Sequence, residues 1–368
     1  MTFLRTIICT MLLMPAILSA AQSIVQPFSR LSLLFAGDLM QHQSQLNAAR
    51  CGDGTYSFSS CYDYIRPEVS AADVAIANLE TTIGSKGFGG YPAFCAPDSF
   101  LYAAKGAGFD VLLFANNHCL DRGRAGALRT LAMMDSLGIA HCGVYRDSLD
   151  RAQRVPLIIE RKGIRLALLN YTYGTNGIPV PPPLIVNFID KELIAADIKR
   201  AREKKVDAII ACLHWGDEYV SLPPKHVRSL ADWLIEQGVD HIIGGHPHVL
   251  QPMEVRRDSI SGRRSAVVYS LGNLISGMYA RGRDGGALVR MELFRFGGLV
   301  YMGSLSYSLT WVARPGRDGV RNFTILPAAR PPLELGGATR SKMGEFLRDS
   351  RELFLKHNRG VGEYLMRE

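Results

Sequence analysis

Short apolar runs recur along the first two thirds of the chain, and polar residues follow each run. Runs of this length, bounded by turn-forming residues, are typical of buried strands. They cover residues 31–36, 74–78, 109–114, 207–213 and 240–243. The pattern therefore predicts buried strands that each finish on a side chain able to bind a metal ion or transfer a proton.

Segments with helical periodicity lie between these runs. In residues 126–138, for example, the apolar residues Leu128, Leu131, Met134 and Leu137 recur at three-residue spacing. The helical segments cover residues 98–108, 126–138, 190–204 and 223–238. Because strands and helices alternate, we predict an α/β fold built in layers. Ligands of such sheets bind outside the carboxyl ends of the strands, where the polar residues fall.

The remaining segments follow a different pattern. They predict a hairpin at 155–160 and 164–169, a Gly- and Pro-rich loop at 172–183 that borders the site, antiparallel strands at 287–296, 300–309 and 321–326, and a terminal helix at 341–356. Length alone allows two domains. Since no linker or repeat divides the chain, we expect one domain at 31–280, onto which a β-rich portion at 281–368 packs.

Composition narrows the class of protein. Of the 368 residues, 47% are hydrophobic and 21% are charged, which is typical of a globular protein. The net charge of +8 comes from scattered basic residues. Without a basic stripe interleaved with aromatic residues, we predict no nucleic-acid partner. No segment beyond the N-terminus is long and apolar enough to span a membrane.

Residues 1–21 predict an export signal. Arg5 precedes an apolar run at 7–18, and Ser19-Ala20-Ala21 offers small residues for cleavage. An uncleaved anchor is the alternative, in which case this segment would be the protein's membrane contact. We therefore expect an exported protein, either periplasmic or associated with the cell envelope.

The chain has seven cysteines, of which Cys9 lies inside the apolar N-terminal run. Export permits disulfides, and Cys51 and Cys61, which flank a Gly- and Ser-rich loop, are the expected pair. Cys119 and Cys212 fall in apolar strand-end contexts and are expected to be buried free thiols. Because no Cys-x-x-Cys spacing occurs, a structural zinc site is not predicted.

The turn Gly244-Gly245-His246-Pro247-His248 carries the sharpest chemical signal. Two histidines one residue apart on a glycine-led turn can face the same cleft, and imidazole binds zinc, iron and manganese. Other metal-capable groups follow the remaining strands, namely Asp38, Glu80, Asn117 and His214. Glu80 could bridge two metals, stabilise a ligand histidine or merely face solvent.

Further polar residues near these strand ends have predicted supporting roles. His118 can act as a general acid or as an anion stabiliser, and Asp121 could orient it through its other ring nitrogen. Asn116, Glu218 and Asn273 are expected to contact substrate or to hold the metal ligands in place.

Six short motifs occur in a characteristic order along the chain. They are Gly37-Asp38, Asn78-Leu79-Glu80, Asn116-Asn117-His118 with Asp121 and Gly123, His214-Trp215-Gly216 with Glu218 and Tyr219, Gly245-His246-Pro247-His248, and Ser270-Leu271-Gly272-Asn273. Together they resemble the CapA family, the poly-γ-glutamate capsule-biosynthesis proteins of bacteria, over about residues 31–280. That family is similar in fold to the calcineurin-like metallophosphoesterases. The resemblance implies a four-layer α/β/β/α sandwich whose cleft holds one or two divalent metal ions (Mn, Zn or Fe).

The resemblance also implies a role for each ligand. Asp38 and His248 would hold one metal, Asn117, His214 and His246 would hold the other, Glu80 would bridge them, and His118 would be the leaving-group acid. The phosphoesterase pattern begins Asp-x-His, but here Met40 takes the place of that histidine, and His42 follows two residues later. His42 is therefore a candidate to compensate at the weaker metal position.

Three functions agree with these features. The first is an exported metal-dependent hydrolase that acts on an envelope polymer. The second is a non-catalytic capsule-assembly factor that binds an anionic polymer or a related small substrate. The third is a plain phosphatase, which the departure at Met40 disfavours.

Overall fold

The computed structural model describes residues 28–331 and 335–367. The predicted export signal at 1–21 lies outside the described residues. The strands are β1 (Ser29–Leu39), β2 (Val74–Leu79), β3 (Thr82–Ile83), β4 (Cys95–Ala96), β5 (Val111–Leu113), β6 (Ala140–Cys142), β7 (Val144–Tyr145), β8 (Leu157–Arg161), β9 (Ile164–Thr172), β10 (Ile185–Val186), β11 (Ala208–His214), β12 (His241–Gly245), β13 (Met253–Arg257), β14 (Arg264–Val268), β15 (Asn273–Ile275), β16 (Gly285–Phe296), β17 (Leu299–Ala313), β18 (Thr324–Pro327) and β19 (Gly362–Glu363). The α-helices are α1 (Gln43–Ala49), α2 (Arg66–Ser70), α3 (Asp98–Ala107), α4 (Gly123–Ser136), α5 (Ser148–Arg154), α6 (Lys191–Glu203), α7 (Lys225–Glu236) and α8 (Gly337–His357).

Two mixed sheets form the centre of the molecule. The first has the order β18-β17-β16-β1-β2-β5-β6, with β15 also paired to β1 and β19 to β17. The second has the order β13-β14-β12-β11-β9-β8. Strands β1, β2, β5 and β6 are mutually parallel, as are β9, β11, β12 and β14. Strand β16 runs antiparallel beside β1, so the C-terminal strands extend the first sheet.

Alternating side chains along the strands produce four layers. Leu33 packs between the two sheets, whereas its neighbour Leu34 faces the core beneath α3 and α4. In the second sheet, Ile210 packs between the sheets and Ile209 faces the core beneath α6 and α7. Because successive side chains of a strand point to opposite faces, each sheet buries both of its faces. The layer order is therefore α/β/β/α, which confirms the predicted fold class.

The elements predicted from the periodicity are present, with ends shifted by a few residues. The hairpin is formed by β8 and β9, and the antiparallel strands beyond residue 273 include β16, β17 and β18. Helix α8 begins at Gly337 and buries Phe346 and Phe354 in the core between the sheets. No helix of the described residues has the length and hydrophobicity needed to cross a bilayer.

The predicted disulfide between Cys51 and Cys61 is wrong, because both residues are free thiols. Cys61 is fully buried in the core beneath the first helical layer. Cys51 is only partly buried, and its thiol donates to the Ala49 carbonyl oxygen at 3.7 Å. The two thiols thus occupy different environments. Cys119 and Cys212 are buried free thiols, as predicted.

The carboxyl ends of β1 and β2 approach those of β11 and β12 at one edge of the two sheets. Glycine allows close packing against the segment at 269–272, which joins β14 to β15, at two positions. A Cβ atom on Gly37 would lie 2.0 Å from the Gly272 carbonyl oxygen, and one on Gly244 would lie 2.1 Å from the Tyr269 carbonyl oxygen. Any larger residue would push the strands apart there. The two glycines thus allow the ends of β1 and β12 to pack closely against the segment that joins β14 to β15.

Candidate metal centre

Five buried metal-capable residues meet at this edge. Asp38 lies near the end of β1, Glu80 follows β2, His214 ends β11, and His246 and His248 follow β12. Ligand atoms of Glu80, His246 and His248 lie within 4.8 Å of one another, and so do those of Asp38, Glu80 and His214. Since Glu80 belongs to both groups, its carboxylate lies between them.

The donor atoms of this cluster fit a divalent cation. Glu80 is fully buried, and its Oε1 has no hydrogen-bond partner among the described residues. That oxygen lies 3.4 Å from His214 Nε2 and 3.7 Å from His248 Nε2. Nδ1 of the buried His246 is likewise without a partner in the described chain. Buried polar atoms without partners are costly, and imidazole with carboxylate is a ligand set that suits zinc, manganese and iron.

Asn117 joins the cluster from the segment that follows β5. Its Oδ1 lies 2.8 Å from His214 Nε2, so two predicted ligand atoms face each other. Its Nδ2 donates to Asn176 Oδ1 at 3.2 Å. Asn176 belongs to the loop at 172–183, and the ring of Tyr173 in the same loop lies 4.5 Å from that of His246. The prediction that this loop borders the site is confirmed.

Asn78 lies at the centre of the polar network, although it was not among the predicted site residues. Its Nδ2 donates to Asp38 Oδ1 at 2.8 Å and lies 3.3 Å from His214 Nδ1. Asn116 in turn donates to Asn78 Oδ1 at 3.1 Å. A signal was present in the sequence, since Asn78 stands two residues before Glu80 and side chains at that spacing share a strand face.

The turn that carries His246 and His248 has an uncommon backbone. Both residues have positive φ, 100° for His246 and 55° for His248, a region that non-glycine residues seldom adopt. His248 Nδ1 lies 3.1 Å from Asn273 Oδ1 and 3.2 Å from Asp38 Oδ2. The structure thus places Asn273 as a support for His248. Strain of this kind persists where surrounding contacts hold it, and it is frequent at functional sites.

Burial and the charges of neighbouring groups strongly shift the pKa values of the cluster residues. Burial alone would raise the pKa of Asp38, but the hydrogen bond and charge of His248 hold it below its ordinary value. Burial, together with the charge of Asp38, raises the pKa of Glu80 well above the usual range. Burial lowers the pKa of His214 to about 3 and also lowers that of His246. Burial disfavours the charged form of His248, but the charge of Glu80 and the hydrogen bond to Asp38 raise its pKa to about 9. A divalent cation would stabilise both carboxylates, and His214 and His246 are already in the neutral form that binds metals.

A polar cleft of about 550 Å³ opens beside the cluster, with His118, Asp121, Asn117 and His248 in its walls. Asp121 Oδ2 accepts from His118 Nδ1 at 2.8 Å and from the Phe94 amide at 2.7 Å. Because an ionised carboxylate can only accept, His118 Nδ1 carries the proton and Nε2 is the ring nitrogen left for the cleft. The structure therefore brings the predicted acid and its orienting carboxylate together.

Two other predicted residues lie outside the buried cluster. His42 Nδ1 accepts from the Gly277 amide at 3.0 Å, and the His42 ring packs edge-on against Phe94. Burial lowers the pKa of His42 to about 4. Met40, which occupies the position of the expected histidine, is buried and contributes to the cleft wall. Glu218 is exposed and lines the same cleft.

The metal-capable residues all fall within residues 32–278, which match the family described as bacterial capsule synthesis protein PGA_cap. The chain belongs to this family. Among PGA_cap relatives, it is 28% identical over 292 residues to the PGA biosynthesis protein CapA of Bacillus subtilis (strain 168), which covers 73% of this chain and 69% of that protein. It is 26% identical over 279 residues to the capsule biosynthesis protein CapA of Bacillus anthracis, which covers 72% of this chain and 64% of that protein.

Comparison with solved structures pairs this PGA_cap chain with the calcineurin-like phosphoesterase YfkN from Bacillus subtilis. The alignment has a TM-score of 0.43 and 12% sequence identity, and it covers 89% of this chain and 99% of that chain.

Proposed function

We propose that this chain is a divalent-metal-dependent hydrolase that cleaves an amide or phosphoester bond in an anionic envelope polymer or a related small substrate. The observation that carries the proposal is the position of Glu80. Its buried, unpartnered carboxylate oxygen lies between three histidines, beside an open cleft that also contains His118. This arrangement joins a cation site to a proton donor.

The residues that would hold the metal are the buried acids and imidazoles of the cluster. They are Asp38, Glu80, Asn117, His214, His246 and His248. A bound Mn, Zn or Fe ion supplies polarisation of the scissile carbonyl or phosphoryl group and a lowered pKa for water. Asn78 and Asn273 hold Asp38, His214 and His248 in place through their amide groups.

His118 is the proposed general acid. Asp121 accepts from His118 Nδ1 at 2.8 Å, so the doubly protonated ring can give its Nε2 proton to the leaving group in the cleft and keep the Nδ1 proton on Asp121. The ring of Phe94 packs edge-on at 4.6 Å against the His118 ring and limits its rotation. Orientation by a carboxylate and by packing keeps the acid directed at one place.

The proposed substrate class and location follow from the relatives. Their names place them in the biosynthesis of capsule and of PGA. We extend this to an exported chain, in the periplasm or at the cell envelope, that processes a poly-γ-glutamate-type polymer. Membrane contact in this proposal comes only from the N-terminal segment, if it is retained.

A non-catalytic polymer-binding factor is the second candidate, and Met40 is the observation that favours it. The thioether of Met40 stands where the phosphoesterase pattern has a histidine, and His42 is already engaged with Gly277. Oxygen and imidazole suit Mn better than a thioether does. One metal position would then be poorly held, and the cleft would bind the polymer without cleaving it.

Elemental analysis combined with a turnover assay tests both candidates. The purified protein is loaded with Mn, Zn or Fe and offered poly-γ-glutamate, a phosphomonoester and a phosphodiester. We expect bound metal and turnover of at least one substrate, with both lost in the His246→Ala/His248→Ala protein. The exposed His226→Ala is the matched control and keeps both. Metal and polymer binding without turnover of any substrate supports the second candidate, and unchanged metal content in the double variant refutes the metal site.

A further inference from the structure

Arg283 lines a hollow beside the cleft and has no carboxylate partner among the described residues. It belongs to the segment between β15 and β16, beyond residue 278, where the family match ends. Its guanidinium carbon lies 3.4 Å from the centroid of the Tyr219 ring, and within residues 28–331 and 335–367 it forms no ion pair. Arg281, by contrast, pairs with Asp349 at 2.6 Å and with Glu345 at 3.2 Å.

Three contacts tie this arginine to the metal centre. Asn273, which contacts His248, donates from Nδ2 to the Arg283 carbonyl oxygen at 2.9 Å. The Tyr219 amide donates to the Pro247 carbonyl oxygen at 2.8 Å. The Tyr219 ring lies 6.2 Å from the His248 ring. The guanidinium is therefore one aromatic ring away from His248.

Tyr219 also lines two hollows. It lines the cleft that contains His118 and a second hollow of about 280 Å³ that reaches Arg281, Arg283 and α8. Its φ of 67° is rare for a bulky residue and is held by the contact with Pro247. A chain-like substrate that occupied both hollows would pass directly over the Arg283–Tyr219 pair.

We propose that Arg283, whose guanidinium lies over the Tyr219 ring, binds an oxyanion of the substrate. The oxyanion is a carboxylate or a phosphate on the unit next to the bond that lies in the cleft. The inference rests on the proposed function, because it assigns the substrate class of the same cleft. A guanidinium offers planar, bidentate donors to an oxyanion while its face stays on the aromatic ring. Arg283 thereby makes the site selective for a polyanionic chain.

Binding of two polyanions to the metal-loaded full chain tests the proposal. The probes are poly-γ-glutamate and polyphosphate of matched length, which separate the carboxylate from the phosphate source. Arg283→Met is expected to weaken binding of the preferred polymer by about 10-fold and to reduce its salt dependence. Arg161→Met removes the same charge at the end of β8, outside the residues that line either hollow, and is expected to change affinity by less than about 2-fold. Equal effects of the two variants, or no binding of either polymer by the unaltered protein, would overturn the proposal.

Two further variants separate this inference from the hydrolase proposal. Arg283→Lys keeps the charge but loses the planar guanidinium, so an affinity between those of the unaltered protein and Arg283→Met is expected. This variant replaces Arg283→Met in the test if the latter fails to fold. Repeating the titrations with His118→Asn measures binding without turnover. If the unaltered protein cleaves none of the substrates but its polymer binding still depends on Arg283, the hydrolase proposal is refuted and the anion contact is supported. If the protein cleaves the polymer and the KM of Arg283→Met equals that of the unaltered protein, only the anion contact is refuted.

Discussion

The two edges of the sheets use acidic residues in opposite ways. At the amino edge, an aspartate immediately precedes each of β2, β5, β11 and β12, and its carboxylate accepts from a backbone amide of the neighbouring strand. The pairs are Asp73 with Ser32 at 2.9 Å, Asp110 with Ala75 at 2.9 Å, Asp207 with Arg165 at 2.7 Å, and Asp240 with Ile209 at 2.7 Å. At the carboxyl edge, Glu80 Oε1 has no such donor among the described residues.

The difference separates acids that stabilise the sheet from acids kept for binding. Asp73 also forms an ion pair with Lys162, and Asp207 forms one with Arg295. Each of these two ion pairs links one sheet to the other. Satisfied acids of this kind add to stability. A buried carboxylate oxygen without a donor, such as Glu80 Oε1, costs stability and is free to bind a cation. The same residue type therefore has a structural role at one edge and a chemical role at the other.

The largest expected effect comes from Glu80→Gln at the carboxyl edge. Metal content and turnover should fall by more than about 100-fold, because the shared carboxylate is lost. The metal-free protein should keep or gain stability, within about 1 kcal/mol, since a neutral amide replaces a buried carboxylate. Elemental analysis, a turnover assay and urea unfolding measure the three quantities. Asp110→Asn is the matched control at the other edge, and wild-type metal content in Glu80→Gln would contradict the comparison.

His118→Asn should lower turnover by roughly 10²- to 10⁴-fold, the range expected for a lost general acid, with metal content unchanged. Asp121→Asn should cost less, about 10- to 100-fold, because the acid remains but its orientation is weakened. Steady-state kinetics on protein of verified metal content measures both. If both variants lose metal as well as turnover, His118 and Asp121 belong to the metal site and do not supply the general acid.

Asp110→Ala tests the structural edge. The buried Ala75 amide would lose its acceptor, which should lower the free energy of unfolding by about 1–3 kcal/mol. Turnover per folded molecule should not change, because Asp110 lies at the opposite edge from the cluster. Urea unfolding and active-site-normalised kinetics measure the two quantities. Asp110→Asn keeps an acceptor oxygen and should lose less stability, so equal losses in both variants would refute the hydrogen-bond explanation.

The smallest effect is expected for Asp73→Asn. Burial alone would raise the pKa of Asp73, but the hydrogen bond and charge of Lys162 and the Ser32 amide hold it below its ordinary value of 3.8. A lowered pKa of an acid adds stability above the unfolded-state pKa, and this contribution disappears as pH falls through the folded-state pKa. The variant should therefore be less stable at pH 7 by under about 1 kcal/mol, since the pair is partly exposed. Thermal unfolding from pH 7 down to pH 3 measures the difference, and a gap that widens toward low pH would show the sign to be wrong.

Much of the fold was predictable because its strands are buried and its helices are amphipathic. Parallel strands bring their carboxyl ends to one edge, so Asp38, Glu80, His214 and His246 could be placed together before any contact was known. The aspartates at the amino edge could also be located in the sequence, but their role as acceptors for strand amides could not be predicted. The position of an aspartate before a strand does not specify which backbone amide will donate to its carboxylate.

Other features depended on contacts between distant segments. Asn78 stands within an apolar strand, and although its spacing from Glu80 was a signal, its partners Asp38 and His214 come from distant segments. Cys61 turns into the core, away from its expected partner Cys51. The role of Arg283 depends on the ring of Tyr219, which comes from a different part of the chain.

The sequence by itself determined the layers, the order of the elements and the kinds of ligand at the strand ends, because periodicity and residue chemistry are local properties. Only the tertiary structure decided that Glu80 lies between histidines of the other sheet, and that its Oε1 has no donor among the described residues. It likewise decided that four aspartates at the far edge are satisfied by strand amides. These outcomes depend on how two sheets pack against each other, and no spacing along one chain specifies that distance.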